Sequence, residues 1–522
     1  MHVMNRHLLI LTLLPALLEF AATSSPGATN SSARPNILFI FSDDQSYKTV
    51  SCHPEALPGA KTPNIDALAK AGVRFSHAYM GAWCMPSRAT LLTGRHPHGI
   101  ESMRMTGKYP ASEYDANLCP FWPAVFRSQG YQTAHIGKWH TGTDAGFGRD
   151  WDHQIVWNRP KHPENAGSYY YDQLLSVDGG QERVEAGYST DKYTDWACDY
   201  IRGEHREAAK PWYLWLCYGA VHGPTTPARR HLGAHQNDKV RVPADIVGPR
   251  PGKPDYLKAT QSWTRAADGQ IVAGREGGKA GRQGKNARTY EEYIHQVLEC
   301  VRALDEGVGR VMTALKESGQ MESTLVVFTA DQGFAMGEHG LRTKLAPYDA
   351  SYRSPLIISR PGTYPEDKVC GHPVNGTDLV ATFSAAAGIP IPWEIHGRDL
   401  TPLLRDPEGA SWDHPCFFEG TGDHYGSDVT RVVREAPDKA EHHHVPWYAA
   451  INDGRFKYVR YLKPGLPEEL YDLHKDPEEL ANLAADAAHQ AELLRLREAT
   501  LGELRRTKAG YAELLPETVP LR

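Results

Sequence analysis

The sequence predicts an α/β protein: a large mixed, mostly parallel sheet sandwiched by helices, followed by a smaller C-terminal α+β domain with an antiparallel sheet. Three observations carry this. Residues 36–41, 132–136, 212–218 and 324–329 are near-continuous apolar runs of strand length, the pattern of strands covered on both faces in a parallel sheet. Helical segments with recognisable starts and stops fall between them. From Trp412 onward the pattern changes to short strands at 447–452 and 455–462 and then a helix over 476–504, which reads as a separate α+β unit.

Each element follows from its residues. Thr62-Pro63-Asn64 is an N-cap and first turn for a helix that runs through Lys70 and stops at Gly72, and residues 73–79 return as a strand, giving a βαβ rhythm. Pro86 and Gly94 bracket a second helix, so Cys84 lies at its entrance, where unpaired N–H groups and the macrodipole favour an anion. An amphipathic helix over 290–318 precedes the 324–329 strand. Polar residues cluster where these elements end: Asp43 and Asp44 after the first strand, Lys138 and His140 after the second apolar run, His222 after the third, Asp331 and Gln332 after the fourth. Open α/β sheets place their ligands at such strand exits.

At 522 residues the chain exceeds the roughly 250 to 300 at which a single core stops growing, so two packed units are expected, 34–405 and 412–522. The first 28 residues have Arg6, an apolar run over 8–18 broken only by Thr12 and Pro15, and small residues over 21–28. This is the layout of a secretory signal, too short in its core to span a bilayer, with cleavage between 21 and 28 and no stable membrane insertion afterwards. Export to the periplasm or the extracellular space is expected, or secretion or lysosomal delivery in a eukaryote. A formal net charge of -6 argues against a nucleic-acid partner. The eight cysteines show no metal-binding spacing and no dense disulfide framework. Cys217, inside a strand, is expected to be a buried free thiol. Residues 231–289 are basic, rich in Gly and Pro and weakly periodic, and read as a long surface insertion. Lys239, Arg241, Lys253, Arg275, Lys279, Arg282, Lys285 and Arg288 within it fit either a grip on a polyanion or a merely solvated loop.

The run Cys84-Met85-Pro86-Ser87-Arg88, with Asp43-Asp44, Gly137-Lys138-Trp139-His140, His222-Gly223-Pro224, Asp331-Gln332-Gly333 and the segment Glu469-Leu470-Tyr471-Asp472 in the same order along the chain, resembles the sulfatase family over residues 34–485. Gly337-Glu338-His339-Gly340 followed four residues later by Lys344 looks more like its iduronate-sulfatase-like and bacterial polysaccharide-sulfatase branches. The resemblance implies an alkaline-phosphatase-like fold and a sulfuric ester hydrolase acting on a sulfated carbohydrate. It implies that Cys84 is oxidised by a formylglycine-generating or radical maturase enzyme to 3-oxoalanine (formylglycine), whose hydrate attacks sulfur. By the same resemblance Asp43, Asp44, Asp331 and Gln332, with the modified Cys84, hold a divalent ion, and hard oxygen ligands favour one Ca2+. Gln332 departs from the Asn or His that many relatives carry there. Lys138 and Lys344 match the sulfate-binding lysines, His140 the base for the collapse step, and His222 the group that touches substrate and protonates the leaving alcohol. Arg88 is expected to hold the formylglycine loop, and Arg95 to be a helix-exit cation.

Three alternatives stay open at this level. One is a phosphomonoester, phosphodiester or phosphonate hydrolase of the same superfamily, another an inactive carbohydrate-binding homologue. The third, a cysteine peptidase using Cys84, leaves Pro86, Arg88 and the four oxygen ligands without a role. For a sulfated sugar, aromatic and basic side chains are the expected readers, with His53, His98, Arg104, Trp157 and Arg229 as candidate contacts.

Overall fold

The central strand Asn36–Ser42 is flanked on both sides by parallel partners, Thr324–Ala330 and Trp212–Cys217. Its side chains show why the sequence reads as an unbroken apolar run: Phe39 and Phe41 enter the core on one face with Trp215 and Val327, while Leu38 and Ile40 enter the other with Leu214, Leu216, Val326 and Phe328. Gln132–Lys138 joins beyond Trp212–Cys217, and His153–Trp157 beyond that, both parallel. Five central strands therefore share one direction.

The edges are mixed. Arg353–Ser359 runs antiparallel to Thr324–Ala330 and carries Val73–Tyr79 on its far side, with the short strands Lys368–Cys370 and Val374–Asn375 beyond. On the other flank Tyr171–Val177 and Arg183–Tyr188 form a hairpin next to His153–Trp157. The computed structural model describes residues 34–101, 115, 117–276, 279–280 and 289–519. The expected signal segment, Arg104 and all five basic residues over 275–288 lie outside the described side chains.

The helices expected over 62–70 and 290–318 are present as Pro63–Lys70 and Tyr290–Glu317. The second opens on a capping box in which Thr289 accepts from the Glu292 N–H and the Glu292 carboxylate accepts from the Thr289 N–H. A second sheet, Cys416–Gly420, Tyr448–Asn452, Phe456–Tyr461 and Glu469–Asp472, is antiparallel throughout. The first and last of these strands were not anticipated. The helix expected over 476–504 is shorter, Gln490–Arg506. Residues ahead of it are diverted to other partners: the Asn482 side chain accepts from Leu470 N–H at 3.0 Å, and Glu479, at a left-handed φ of 56°, is buried against Lys457.

Residues 35–522 form one compact unit. The second sheet meets the first through a shared core in which the rings of Tyr79 and Phe418 stack at 4.5 Å and Tyr352 packs beside them. The basic insertion is partly buried. Its strands Trp263–Arg265 and Ile271–Ala273 pair antiparallel, and Ile246, Trp263 and Ile271 pack on the Tyr290–Glu317 helix.

Candidate active site

The site lies at the carboxyl ends of the parallel strands, where backbone groups leave the sheet ladder and side chains converge. Asp43 and Asp44 follow Asn36–Ser42, Lys138 ends its strand, and His140 and His222 follow theirs. The helix Cys84–Thr93 enters from the Val73–Tyr79 strand with Cys84 as its first residue and Gly94 closing it at φ 74°. That φ is left-handed, which suits glycine at a helix C-terminus.

The polar atoms are close together. Cys84 Sγ is 3.3 Å from Asp43 Oδ1 and 3.9 Å from Asp44 Oδ1, and Lys344 Nζ is 3.0 Å from the same sulfur. Lys138 Nζ donates to Asp43 Oδ2, and Lys344 Nζ donates to both Asp44 oxygens at 2.7 and 2.9 Å. His222 Nε2 stands 3.6 Å from Asp44 Oδ2. Asp331 sits beside this group: its Oδ1 accepts the N–H groups of Asp44 and Gln332 at 3.0 Å each, and its Oδ2 faces Arg88 Nη2 at 3.3 Å. Arg88, fully buried, also donates to the Lys138 carbonyl at 2.7 Å, tying the helix to the neighbouring strand. Gln332 donates to Asp44 Oδ1 and accepts from Ser87 Oγ at 3.4 Å. All ten residues expected at the site thus fall within one neighbourhood or on its rim, His140 lining the same cleft as Cys84, His222 and Lys344. Asp44 and His140 each hold a φ of 54° without being glycine, a strained conformation that clusters at functional sites.

Burial sets the charge states. It alone would raise the Asp43 carboxyl, but Lys138, His222, Arg88 and Lys344 overcome it and hold Asp43 well below the usual carboxylate range. Asp331 is pushed up to about 8 by burial and by the Asp43 charge, against the opposing pull of Arg88 and Lys138. Burial lowers His140 and His222 well below the usual imidazole range, with Lys138 and Lys344 respectively adding to the effect. The Cys84 thiol is pushed up to about 12 by burial and by Asp43. The acids Asp43 and Asp44 beside the sulfur disfavour a thiolate and have no role in a cysteine peptidase.

The donor set fits a hard divalent cation. Three buried carboxylates and an amide oxygen are available, and Asp43, Asp44, Cys84 and His222 each offer an atom within 4.8 Å of the others'. Three carboxyls this close carry a mutual repulsion and a desolvation cost that a bound cation would relieve. His222, expected to touch substrate and protonate the leaving alcohol but not to hold metal, belongs to this tight group; Asp331 joins it through the Asp44 N–H, and Gln332 through Asp44 and, at 3.7 Å, Cys84 Sγ.

Above the site opens a cleft of about 1260 Å³. None of His53, His98, Trp157 and Arg229 lines it. His98 is buried between Glu419 and Thr507, at 2.9 and 3.0 Å, and Trp157 is a core side chain. His53 is buried beside Arg74, while Arg229 lies in the short turn Arg229–His231. The cleft is lined instead by Trp83, Trp263, Arg342, Asp423 and the run His442-His443-His444, among others. Tyr169 was also missed: its ring stacks on His222 at 4.1 Å and lies 5.2 Å from Lys138 Nζ. Trp83, adjacent to Cys84, was within reach of sequence reasoning. The others come from distant segments and carry no local signal. Arg95 donates to the carbonyls of Glu394 and Gly99 at 2.9 and 3.3 Å, bracing the helix exit away from the chemistry.

The sulfatase family model matches residues 35–389. The chain belongs to the sulfatase family. A second family model, described as N-sulphoglucosamine sulphohydrolase, C-terminal, matches residues 337–507. Among relatives, an N-acetylglucosamine-6-O-sulfatase of Bacteroides thetaiotaomicron is 29% identical over 94% of this chain and 90% of its own length. A delta 4,5-hexuronate-2-O-sulfatase of the same organism is 27% identical over 94% and 93%. Among solved structures, one described as a complex with its substrate D-glucosamine-2-N,6-O-disulfate superposes with a TM-score of 0.75 at 25% identity, covering 91% of this chain and 98% of that one. This sulfatase therefore has the alkaline-phosphatase-like fold, with the mixed sheet and C-terminal antiparallel sheet described above, and is a sulfuric ester hydrolase.

Proposed function

We propose that this sulfatase is an exported, calcium-dependent enzyme that removes the 6-O-sulfate of N-acetylglucosamine units in a sulfated glycan, once a maturase has oxidised Cys84 to formylglycine. The observation that carries the reading is the placement of Cys84. It opens a buried helix, within hydrogen-bond reach of both an acid and a lysine, inside the sequence Cys-x-Pro-Ser-Arg. The relatives' names support the substrate, the apolar leader over 8–18 supports export, and the oxygen donor set supports calcium.

Formylglycine at position 84 would supply, as its hydrate, one hydroxyl to displace the sugar alcohol and a second whose deprotonation releases sulfate. Ca2+, held by Asp43, Asp44, Asp331 and Gln332, would supply charge that favours the ionised nucleophile and the sulfate oxygens. The chain's own residues do the rest. Lys138 and Lys344, kept charged by Asp43 and Asp44, neutralise the anionic oxygens that repel a nucleophile. His140, held neutral by burial, is suited to take a proton during sulfate release. His222 donates Nδ1–H to the Gly223 carbonyl, which turns Nε2 toward Asp44 and the site; as the imidazolium it would hand its Nε2 proton to the leaving sugar oxygen. Arg88 fixes the helix entrance against the Lys138 strand and balances Asp331.

The test is sulfate release by the matured protein from N-acetylglucosamine-6-O-sulfate, its N-sulfated counterpart and the matching phosphate ester, with and without a calcium chelator. The proposal expects release from the 6-O-sulfate above all, loss on chelation, and a peptide around Cys84 with the mass decrease of thiol-to-aldehyde conversion. Release from the phosphate ester alone, or full activity with an unmodified thiol, would contradict it.

A further inference from the structure

We infer that the buried ion pair of Lys48 and Glu338 is a positioning device for Lys344: it pins the tip of the loop that carries this lysine and so sets where the ammonium stands against Asp44 and Cys84. This rests on the proposed reading of Lys344 as a sulfate-holding residue and adds two residues that act through it.

The shape of the loop is the first observation. After Asp331 and Gln332 the chain turns back on itself. Ala335 N–H donates to the Thr343 carbonyl at 3.0 Å and Gly337 N–H to the Leu341 carbonyl at 2.9 Å, giving a hairpin with Glu338, His339 and Gly340 at its tip and Lys344 on its returning arm. His339 at φ 54° and Leu345 at φ 84° are left-handed without being glycine, a conformation that persists only where surrounding contacts over-determine it. At the base, Leu345 N–H donates to the Ala82 carbonyl at 3.0 Å. A hairpin held at its base alone is free to tilt, and a tilt moves Lys344.

The second observation is what holds the tip. Glu338 Oε1 accepts from Lys48 Nζ at 2.7 Å while its Oε2 accepts the Met336 N–H at 2.8 Å, so one carboxylate joins the hairpin to itself and to the segment that follows Asp43 and Asp44. Asp245 accepts the N–H of the next residue, His339, at 2.9 Å, but that ties the tip to the 231–289 insertion rather than to the site. Lys48 is the fixed end of the pin. Its N–H donates to Ser46 Oγ at 3.2 Å, its carbonyl accepts from Leu57 N–H at 2.7 Å, and the Asp44 N–H ahead of it is taken by Asp331. Lys344 Nζ then meets Asp44 at 2.7 and 2.9 Å and Cys84 Sγ at 3.0 Å, which closes a ring of contacts running from Asp44 through Lys48, Glu338 and Lys344 back to Asp44.

The third observation is the chemistry of the pair. Both side chains are buried. Burial opposes each charge, yet Lys48 is held above its usual range by Glu338, and Glu338 below its own by Lys48. Desolvation offsets most of the attraction in such a pair, so it adds little stability that two apolar side chains of similar size would lack. What an apolar pair lacks is a directed bond between two loops.

Two paired variants remove the pin. Lys48→Met with Glu338→Gln keeps an acceptor for the Met336 N–H, and Lys48→Met with Glu338→Leu replaces both charges by apolar groups, an exchange that is often neutral or stabilising. Crystal structures of the full-length variants are compared with that of the wild type, and sulfate release from a 6-O-sulfated sugar is measured on the matured enzymes, with and without Lys344→Ala. The Lys344 ammonium is expected to move off Asp44 by about 1 Å or more, and kcat/KM to fall on the order of 10- to 100-fold. In a Lys344→Ala background the same substitutions should cost no more than about twofold, because the residue they act through is gone. Retention of the Lys344 contacts in the variants that fold would overturn the inference, as would a loss that adds in full to that of Lys344→Ala. The crystallographic comparison needs no turnover, so failure of the matured wild type to release sulfate would count against the catalytic reading, and the position of Lys344 would still decide the role of the pin.

Discussion

His222 illustrates how a single side chain is given its task by its neighbours. Tyr169 stacks on it, the Gly223 carbonyl takes one ring nitrogen, and the other faces Asp44 across 3.6 Å. If its role is protonation of the departing alcohol, His222→Ala should lower kcat about 10²- to 10⁴-fold on a sugar sulfate. It should cost far less on an aryl sulfate, whose leaving group needs no proton. An equal loss on both would assign His222 to sulfate binding instead. At this scale the sequence was highly legible: ten side chains were placed by their positions after strands and by their resemblance to a known pattern. Tyr169, under His222, and Arg342 and Asp423, on the cleft wall, were not, because each comes from a segment whose local sequence looks like any other loop or strand end.

Among the elements, the strand that delivers Lys138 depends on its glycine. Gly137 holds φ 113°, and a Cβ there would lie 2.0 Å from the Cys217 carbonyl oxygen on the adjacent strand. Gly137→Ala therefore combines backbone strain with a clash against a ladder that cannot move, and should destabilise the fold by on the order of 3 kcal/mol, read from the urea midpoint. The helix Gly376–Ala387 gives a pH signature. Its capping residue Asp378 accepts from the N–H groups of Asn375 and Arg398 at 2.9 and 2.8 Å, yet burial pushes it up to about 6 from an ordinary 3.8. Between those values the folded state keeps a proton that the unfolded state releases, so its contribution to stability is present below 3.8 and is lost as pH rises through about 6, by up to roughly 3 kcal/mol. Asp378→Asn should flatten this part of the stability-versus-pH curve. Strands covered on both faces were easy to read from their unbroken apolar runs. The 476–489 stretch was not, since its helical composition is overridden by tertiary partners such as Lys457 for Glu479.

For the molecule as a whole, the two sheets are joined by buried charge as well as by apolar contact. Lys457, on the second sheet, is fully buried and meets Asp349 at 2.6 Å and Glu479 at 2.5 Å. Asp349 also accepts from Tyr79 at 2.8 Å, at the end of a main-sheet strand. Lys457→Met should leave two acids buried without their cation and destabilise the protein by about 3–5 kcal/mol, with one cooperative unfolding transition if the sheets fold as a unit. Two transitions in the wild type would instead support separable domains near residues 405–412. The architecture was legible in outline from the change of pattern at Trp412. The joint itself was not, because Lys457, Asp349 and Tyr79 are far apart in the chain and nothing local pairs them.

Catalysis centres on residue 84, and steady-state sulfate release by matured wild type and by Cys84→Ala, measured on the same 6-O-sulfated sugar, tests this most directly. A loss of at least about 10³-fold in kcat, with the fold unchanged, is the predicted result, in keeping with removal of a covalent nucleophile. Turnover by Cys84→Ala within a few-fold of wild type would contradict it.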